Sequence, residues 1–492
     1  MKRVASGFLP SIVIDRKMSQ PLHRQIYESF RSAILNGQLH PGQRIPSTRV
    51  LSAEIGVSRF PVLNAYAQLL AEGYFQSRVG AGTVISSSLP EQLTFSGTTG
   101  VKGRDTRCRP RPAAKRCSLL SARQKFPWMI HSGAFRVGQV AFDQFPMQIW
   151  SALVARHGRD MTMASAHYGD LLGHPRLREA IANYLKTARS VRCEPGQVLI
   201  VNGSQQALEI STRVLLDPGD PVWIEDPSYR LARDVFTLNN CHLIPVPVDA
   251  EGLNVAAGIK KCRKARAVFV TPSHQFPLGV TMSASRRLQL VEWAQRARAW
   301  IIEDDYDSEY RYESSPIASL QGLDSNARVI YVGTFSKVLF PALRLGYIVI
   351  PPDLVDRFVT LRRVMDLGQP TFLQKVLADF IDDGHFARHI RRMRVFYGNL
   401  RRVLVENLAN ACQRTLEIIG DEAGMHLTAF LKSTRNDEEI AGRAVHNGLS
   451  LWPLSRMYLE RPRQGFILGY GGTSTRDIPH AVRKLQSLLA GH

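Results

Sequence analysis

The chain has 492 residues, 44% of them apolar, and a formal net charge of +21. This length and apolar content are sufficient for two or three globular domains, and they exclude a disordered or fibrous protein. The first apolar segment, residues 8–14, is short and interrupted by Pro10, so it predicts neither a signal peptide nor a membrane span, and we expect a cytoplasmic protein.

The basic charge is concentrated near the N-terminus. Residues 1–125 contain 19 lysines and arginines against 6 acidic residues, whereas the other 367 residues contain 44 against 36. This distribution predicts a polyanionic partner, nucleic acid or a membrane surface, although a charged solvated surface gives a similar count, and charge alone does not choose among them. The six cysteines are scattered without a CxxC pair, so we expect reduced thiols, no disulfide framework and no metal site.

The N-terminal segment has the order of a helix-turn-helix followed by a hairpin. Apolar residues recur at helical spacing over residues 20–36, and Ser47 and Ser58 stand where helix caps are expected. Two helices joined across residues 56–58 form a helix-turn-helix. The segment YFQSRVGAGTVIS, residues 74–86, alternates around glycines and predicts a β-hairpin wing.

This order predicts a DNA-binding surface. The recognition helix runs from Arg59 to about Glu72, and its N-terminal end is the part that enters the major groove in such motifs. Residues around the preceding helix can hold phosphates, and the wing can reach a minor groove. The predicted DNA contacts are Arg44, Ser47, Arg49, Ser58, Arg59, Asn64, Arg78 and Gly82. Taken singly, each arginine also fits an ordinary surface charge and each serine a helix cap, so the prediction depends on the whole ordered, basic segment.

The segment from Pro41 to Thr83 resembles the winged helix of the GntR regulators, and the resemblance extends over residues 18–86. It implies a winged helix-turn-helix DNA-binding domain there. One departure is Ala81, where a serine is common, so a side-chain hydrogen bond from that position is lost. Residues 87–125 are rich in Ser, Thr, Gly and Pro and contain a basic run, which predicts a flexible basic linker.

Beyond the linker, apolar runs alternate with helical stretches. Runs without polar alternation are typical of strands that are buried on both faces of a mainly parallel sheet. The runs are QVLIVNG (197–203), PVWIED (221–226), AVFVTP (267–272), WIIEDD (300–305) and RVIYVG (328–333). We therefore predict an α/β domain over residues 126–492, with a ligand site at the carboxyl ends of its strands.

Chemically useful residues follow these strands. Lys337 comes after RVIYVG, and a desolvated lysine in that position can form a Schiff base with an aldehyde cofactor. Asp304 is the second-last residue of WIIEDD, and Tyr306 comes directly after this run. Asp304 fits the carboxylate that pyridoxal phosphate needs at its ring nitrogen, and Tyr306 fits the hydroxyl donor at its phenolate oxygen. Ser204 and Gln205 begin a helix whose backbone donors can hold a phosphate.

Each of these positions also has a plainer interpretation. Lysines after strands are mostly solvated, and a strand followed by a helix start is a common arrangement. The acidic residues around Asp304 fit a magnesium site or a solvated loop, although no GxxxxGK[ST] loop accompanies them. Tyr229 fits either stacking on a pyridine ring or a buried tyrosine with a satisfied hydroxyl.

Together the segments resemble the fold type I, aspartate-aminotransferase-like enzymes, and their fusion with a GntR winged helix resembles the MocR-type regulators. The resemblance implies pyridoxal 5'-phosphate as cofactor and a role for each matching residue. Lys337 is the aldimine lysine, Asp304 lies at the ring nitrogen and Tyr306 at the phenolate oxygen. Ser204 and Gln205 lie near the phosphate, and Tyr229 lies over the ring.

The resemblance also implies two arginines and one loss. Arg344 is expected near the phosphate or substrate, and Arg456 is expected to hold an effector carboxylate. Leu278 stands where a small hydroxyl residue is usual, so a hydrogen bond to the cofactor is lost there.

The resulting hypothesis is a homodimeric, pyridoxal-phosphate-dependent transcription regulator that binds double-stranded operator DNA. An amino compound or the cofactor itself acts as effector through aldimine formation at Lys337. One alternative is a working aminotransferase with a tethered DNA-binding domain, and another is a DNA-binding scaffold that has lost its cofactor.

Overall fold

The computed structural model describes residues 12, 14–78, 82–87, 114, 132–160, 167–312, 318–324, 328–420 and 422–490. Contacts divide the chain into two compact units, Met1–Arg111 and Pro112–His492. Apart from residues 87 and 114, the predicted linker over 87–125 lies outside the described residues.

The first unit contains the predicted helices and hairpin. Its elements are α1 (Leu22–Leu35), α2 (Thr48–Glu54), α3 (Arg59–Ala71), β1 (Phe75–Arg78) and β2 (Gly82–Ile85). The two strands pair antiparallel with Phe75 opposite Ile85. The rings of Phe30, Tyr66 and Phe75 meet edge to face in the core, with centroids 5.2 to 5.7 Å apart. This packing fixes the angle between the helices and the hairpin.

The second unit is larger and alternates helices with strands. Its helices are α4 (Met147–Arg159), α5 (Pro175–Arg189), α6 (Ser204–Leu215), α7 (Arg230–Leu238), α8 (Val255–Lys261), α9 (Ala284–Ala297), α10 (Leu320–Leu323), α11 (Val355–Asp366), α12 (Phe372–Asp382), α13 (His385–Cys412), α14 (Asp437–His446) and α15 (Ile478–Ala490). Its strands are β3 (Val198–Val201), β4 (Pro221–Asp226), β5 (His242–Asp249), β6 (Gly252–Leu253), β7 (Ala267–Val270), β8 (Trp300–Asp305), β9 (Val329–Thr334), β10 (Gly346–Val349), β11 (Leu416–Ile419), β12 (His426–Leu431), β13 (Trp452–Pro453) and β14 (Gly465–Gly469).

Eight strands form the central sheet in the order β3-β10-β9-β8-β7-β4-β5-β6. The run from β9 to β5 is parallel, which confirms the predicted mainly parallel sheet. Strand β10, which the sequence analysis did not identify, lies antiparallel between β3 and β9. The parallel strands therefore bring their carboxyl ends to one edge.

The central strands are buried on both faces, which explains their unbroken apolar runs. In β4, Ile224 packs into the core layer that contains Ala207 of α6. The preceding residue, Trp223, points to the other layer and stacks on Trp293 of α9 with centroids 3.7 Å apart. Successive residues of a strand face opposite sides, so a sheet covered by helices on both sides needs apolar residues at every position.

A second sheet, antiparallel in the order β11-β12-β14-β13, packs with α13 and α15 around a separate core. Among the described residues, no helix is both long enough and apolar enough to cross a membrane.

Candidate functional site

A cavity of about 220 Å³ lies at the carboxyl ends of the central strands. All of the residues predicted to bind the cofactor line it, namely Lys337, Asp304, Tyr306, Ser204, Gln205, Tyr229 and Arg344. These residues come from four different strand-to-loop junctions. The sheet topology therefore brings them together as expected for a site at this edge.

Lys337 lies three residues beyond the end of β9 and presents its amine to the cavity. Its Nζ donates a hydrogen bond to the carbonyl oxygen of Gly138 at 3.3 Å. Burial lowers the pKa of Lys337, while the carboxylates of Asp307 and Asp304 oppose that shift. A lowered pKa increases the fraction of neutral amine, which is the form that attacks an aldehyde carbon.

Asp304 and Asp305 are consecutive in β8 and face opposite sides of the sheet. Asp305 receives a hydrogen bond from Arg189 Nε at 2.8 Å and is neutralised by that guanidinium. Asp304 is 4% exposed, and its Oδ1 has no hydrogen-bond partner among the described residues. Burial raises the pKa of Asp304 to about 7, and the neighbouring Asp305 and Asp307 carboxylates add to the effect.

Burying a carboxylate without a hydrogen-bond partner is unfavourable in free energy, so we expect the Asp304 oxygen to bind a positively charged donor. A protonated pyridine nitrogen is such a donor. The residues present therefore fit pyridoxal phosphate. The acidic segment around Asp304 is buried, so it is not a solvated loop, and its carboxylates face both sides of the sheet, so they do not form a single cluster.

Tyr306 stands beside a buried pair that the sequence analysis did not assign. Its hydroxyl donates to the backbone oxygen of His274 at 2.9 Å and lies 3.1 Å from Nδ1 of the same residue. His274 Nδ1 lies 3.0 Å from a carboxylate oxygen of Asp307. Burial raises the pKa of Tyr306 well above its ordinary value, so the hydroxyl stays protonated and can act as a donor.

The other end of the site is suited to an anion. Helix α6 begins at Ser204, after Gly203, whose φ of +84° favours glycine. The first-turn N–H groups of a helix have no intrahelical partner, and they attract phosphate. A Cβ placed on Gly203 would lie 3.3 Å from Arg344 Nη2, so this guanidinium approaches the helix start closely. The buried Oε1 of Gln205 has no hydrogen-bond partner in the described part of the chain, while its Nε2 donates to the carbonyl of Leu231.

Tyr229 lines the cavity and also packs edge to face on Phe276, with ring centroids 5.6 Å apart. Tyr229 is half-buried, with its ring packed on Phe276 and open to the cavity, and its place over a pyridine ring stays a prediction. Leu278 is buried in a neighbouring apolar core with Phe276, and it is not among the residues that line the cavity.

The structure does not bring Arg456 to the cavity. Its guanidinium pairs with Glu438 of α14, and it is not among the lining residues. The preceding Ser455 is held by the buried Asp437, which accepts hydrogen bonds from both its N–H and its hydroxyl. This anchoring directs Arg456 toward α14, so an effector contact by Arg456 stays a prediction.

Several lining residues were not assigned from the sequence. Asp307 and Ser336 lie in the same segments as residues that were assigned, so their position beside those residues could have identified them. Gly138, His426 and Trp452 come from distant segments and are brought to the cavity by the tertiary fold.

The predicted DNA contacts lie on the surface of the first unit. Their described members, Arg44, Ser47, Arg49, Ser58, Arg59, Asn64 and Gly82, are all exposed. Ser47 caps α2 by accepting a hydrogen bond from the N–H of Val50 at 3.4 Å, whereas Ser58 precedes α3 without a side-chain cap. Arg59 Nε donates to the hydroxyl of Thr48 at 3.2 Å. Arg78 ends β1, and its side chain lies outside the described part of the chain.

Both halves of the chain match known families. Bacterial regulatory proteins of the gntR family match residues 22–85, and aminotransferases of class I and II match residues 135–452. The probable rhizopine catabolism regulatory protein MocR of Rhizobium meliloti is 40% identical over 479 residues, covering 97% of this chain and 95% of that protein. The pyridoxine biosynthesis transcriptional regulator PdxR of Corynebacterium glutamicum is 30% identical over 452 residues, covering 91% of each chain.

Solved aminotransferase structures match more than three quarters of the chain. The multiple substrate aminotransferase of Thermococcus profundus has a TM-score of 0.71 at 27% identity, over 77% of this chain and 97% of that one. The kynurenine aminotransferase of Pyrococcus horikoshii, solved in complex with PMP, has a TM-score of 0.69 at 27% identity, over 79% and 96%.

Proposed function

We propose that this chain, which belongs to the MocR-type transcription regulators, senses an amino compound in its cavity. These regulators join a gntR-family DNA-binding domain to an aminotransferase class I and II domain. The chain is a pyridoxal-phosphate-dependent DNA-binding regulator. We propose the roles of the individual site residues, the chemical class of the effector and the coupling between the two units.

The observation that carries the proposal is the pairing of a buried, unpartnered Asp304 oxygen with the amine of Lys337 in one cavity. Bound pyridoxal phosphate supplies an aldehyde that reacts reversibly with primary amines, and a ring that withdraws electrons. With the cofactor bound, Lys337 would hold its aldehyde carbon and Asp304 would keep a proton at its ring nitrogen. Tyr306 would turn its one hydroxyl proton from the His274 carbonyl toward the phenolate oxygen.

The start of α6, at Ser204 and Gln205, would hold the phosphate with Arg344 beside it, and Tyr229 would cover the ring. An amine held at the aldehyde in place of Lys337 would leave the lysine amine free inside the cavity, next to Gly138. The liganded and unliganded states would then differ in the contacts of the Lys337 amine. Such a difference is what an effector needs in order to shift an equilibrium between two states of the regulator.

An effector that also carries a carboxylate has two candidate partners. Arg344 lines the cavity and is proposed as the first, and Arg456 becomes the second if it leaves Glu438. We further propose a cytoplasmic homodimer whose two winged helices read paired half-sites, with phosphate and groove contacts from the exposed residues of α2, α3 and the wing.

The test is a titration of operator affinity. Fluorescence anisotropy with labelled operator duplex is recorded with holoprotein and increasing concentrations of individual amines. A shift in affinity for one class of amine, absent in Lys337→Ala and retained in the exposed-lysine control Lys264→Ala, supports the proposal. Operator affinity that no amine changes, in protein shown by its visible absorbance to hold the cofactor, rejects it.

A working aminotransferase is the second candidate, because every residue named for the ring chemistry is present in the cavity. Steady production of keto acid by the purified protein, through many turnovers, favours that function. A single stoichiometric conversion followed by a halt favours sensing.

A further inference from the structure

Helix α3 is apolar on both of its sides. One side packs into the core through Val62, Ala65, Tyr66 and Leu69. The other side exposes Phe60, Leu63, Asn64 and Ala67, which are spaced i, i+3, i+4 and i+7 and so form one stripe. Phe60 is 70% exposed and Leu63 is 41% exposed. We call these four residues the α3 stripe.

An exposed apolar stripe on a helix indicates a surface that is covered when the protein works. The charges around the α3 stripe identify the occupant. Arg59 is exposed at the start of α3, Arg49 is exposed on the neighbouring helix α2, and Glu54 is the one acidic residue between Thr48 and Ala71. Cationic side chains beside an apolar stripe match the major groove of DNA, where phosphates border a floor that carries thymine methyl groups.

The chemistry of the stripe specifies the bases. Its single polar side chain, Asn64, is of the type that pairs with N6 and N7 of adenine, and its apolar members are of the type that contacts thymine methyls. Guanine is read by arginine or lysine, and the stripe has neither. The nearest arginine, Arg59, is drawn toward α2 by the hydroxyl of Thr48. That position suits a phosphate better than a base edge.

We propose that the α3 stripe reads A·T base pairs, with Asn64 on an adenine and Phe60 and Leu63 against thymine methyls. The seven residue steps from Phe60 to Ala67 span about 10 Å of helix, which corresponds to about three base pairs in each half-site. The inference rests on DNA binding by the first unit. It does not depend on the proposed effector chemistry at Lys337.

The first experiment selects binding sequences from a random duplex library with the full-length, cofactor-loaded protein. The expected half-site contains about three consecutive A·T pairs at the positions that α3 protects. Replacing the contacted thymines by deoxyuridine removes only the methyl group, and each replacement is expected to weaken binding about fourfold. A G·C core, or full affinity for the deoxyuridine duplex, overturns the proposal.

The second experiment assigns the contacts to residues. In Phe60→Ala, the difference between thymine and deoxyuridine duplexes is expected to shrink, and in the double variant Phe60→Ala/Leu63→Ala the two duplexes are expected to bind equally. In Asn64→Ala, 7-deazaadenine is expected to cause no further loss, whereas in the unmodified protein it weakens binding about 5- to 100-fold. Leu35, at the end of α1, is 43% exposed, and Leu35→Ala should keep the full response to both modified bases.

Two readouts separate the possible failures. Salt-dependent binding that shows no preference among duplexes means that DNA binding stands and the reading of A·T pairs is wrong. If the stripe instead contacts a second copy of the chain, Phe60→Ala lowers the mass in analytical ultracentrifugation and leaves the deoxyuridine effect unchanged, which also overturns the proposal. Unchanged circular dichroism confirms that each variant is folded.

Discussion

Replacing Gly138 by alanine tests the geometry of the site most directly. A Cβ built on Gly138 would lie 2.4 Å from Nζ of Lys337. Nonbonded carbon and nitrogen atoms are ordinarily separated by roughly 3.5 Å, so the lysine amine must move by about 1 Å. Because that amine is the far end of a flexible side chain, the displacement itself costs the fold little.

The expected cost to stability comes from the backbone. Gly138 has a φ of +76°, and an alanine in the left-handed region costs roughly 1 to 2 kcal/mol. Chemistry is affected far more, since a reacting group misplaced by about 1 Å loses roughly 100-fold in rate. Gly138→Ala should therefore fold and yet take up pyridoxal phosphate about 100-fold more slowly.

The assay follows visible absorbance after apoprotein is mixed with the cofactor, and urea unfolding measures stability. Gly442 of α14 is the matched control, because a Cβ there meets nothing within 4 Å. Gly442→Ala should leave the uptake rate unchanged and stabilise the fold by roughly 0.5 to 1 kcal/mol. Uptake by Gly138→Ala at the normal rate would refute the placement of the Lys337 amine beside this turn.

Three further predictions address the remaining parts of the molecule. Asp304→Asn should weaken cofactor binding at least about 100-fold in equilibrium dialysis, because a buried charge pair loses one partner; an unchanged dissociation constant would argue against the pairing. Burial lowers the pKa of His389 to about 4, so the folded state favours the neutral imidazole. The stability that this preference contributes is complete above the unfolded pKa of about 6.5 and is lost as the pH falls toward 4. The loss is about 3 kcal/mol at most. His389→Gln should flatten urea-unfolding stability between pH 7 and pH 5 relative to the unmodified chain, and parallel pH profiles would contradict this reasoning. Ser47→Ala should destabilise α2 by about 1 kcal/mol through loss of its cap, seen as faster hydrogen exchange, whereas Ser58→Ala should leave exchange unchanged and weaken operator binding; equal exchange in the two variants would disprove the distinction.

Much of the first unit was predictable because its signals are local. Helical spacing, two serine caps and a glycine-rich turn depend on residues a few positions apart, and the observed helices begin within two residues of the predicted starts. Helical spacing in the sequence also predicts Val62, Tyr66, Leu69 and Leu70 on the inner side of α3. The first three are buried as predicted, whereas Leu70 is 38% exposed, because the packing against α1 and the hairpin does not extend to it.

For the second unit, the sequence by itself determined five strands of the central sheet, β3, β4, β7, β8 and β9, and the residues at their carboxyl ends. A run that is apolar at every position requires a doubly covered strand, and parallel strands bring Asp304 and Lys337 to one edge. The tertiary structure decided what surrounds them. Gly138, His426 and Trp452 reach the cavity from remote segments, and Arg456 turns toward Glu438 because Asp437 anchors the residue before it. Periodicity along the chain fixes which side of an element is buried, but the contact partners of a side chain depend on segments hundreds of residues away.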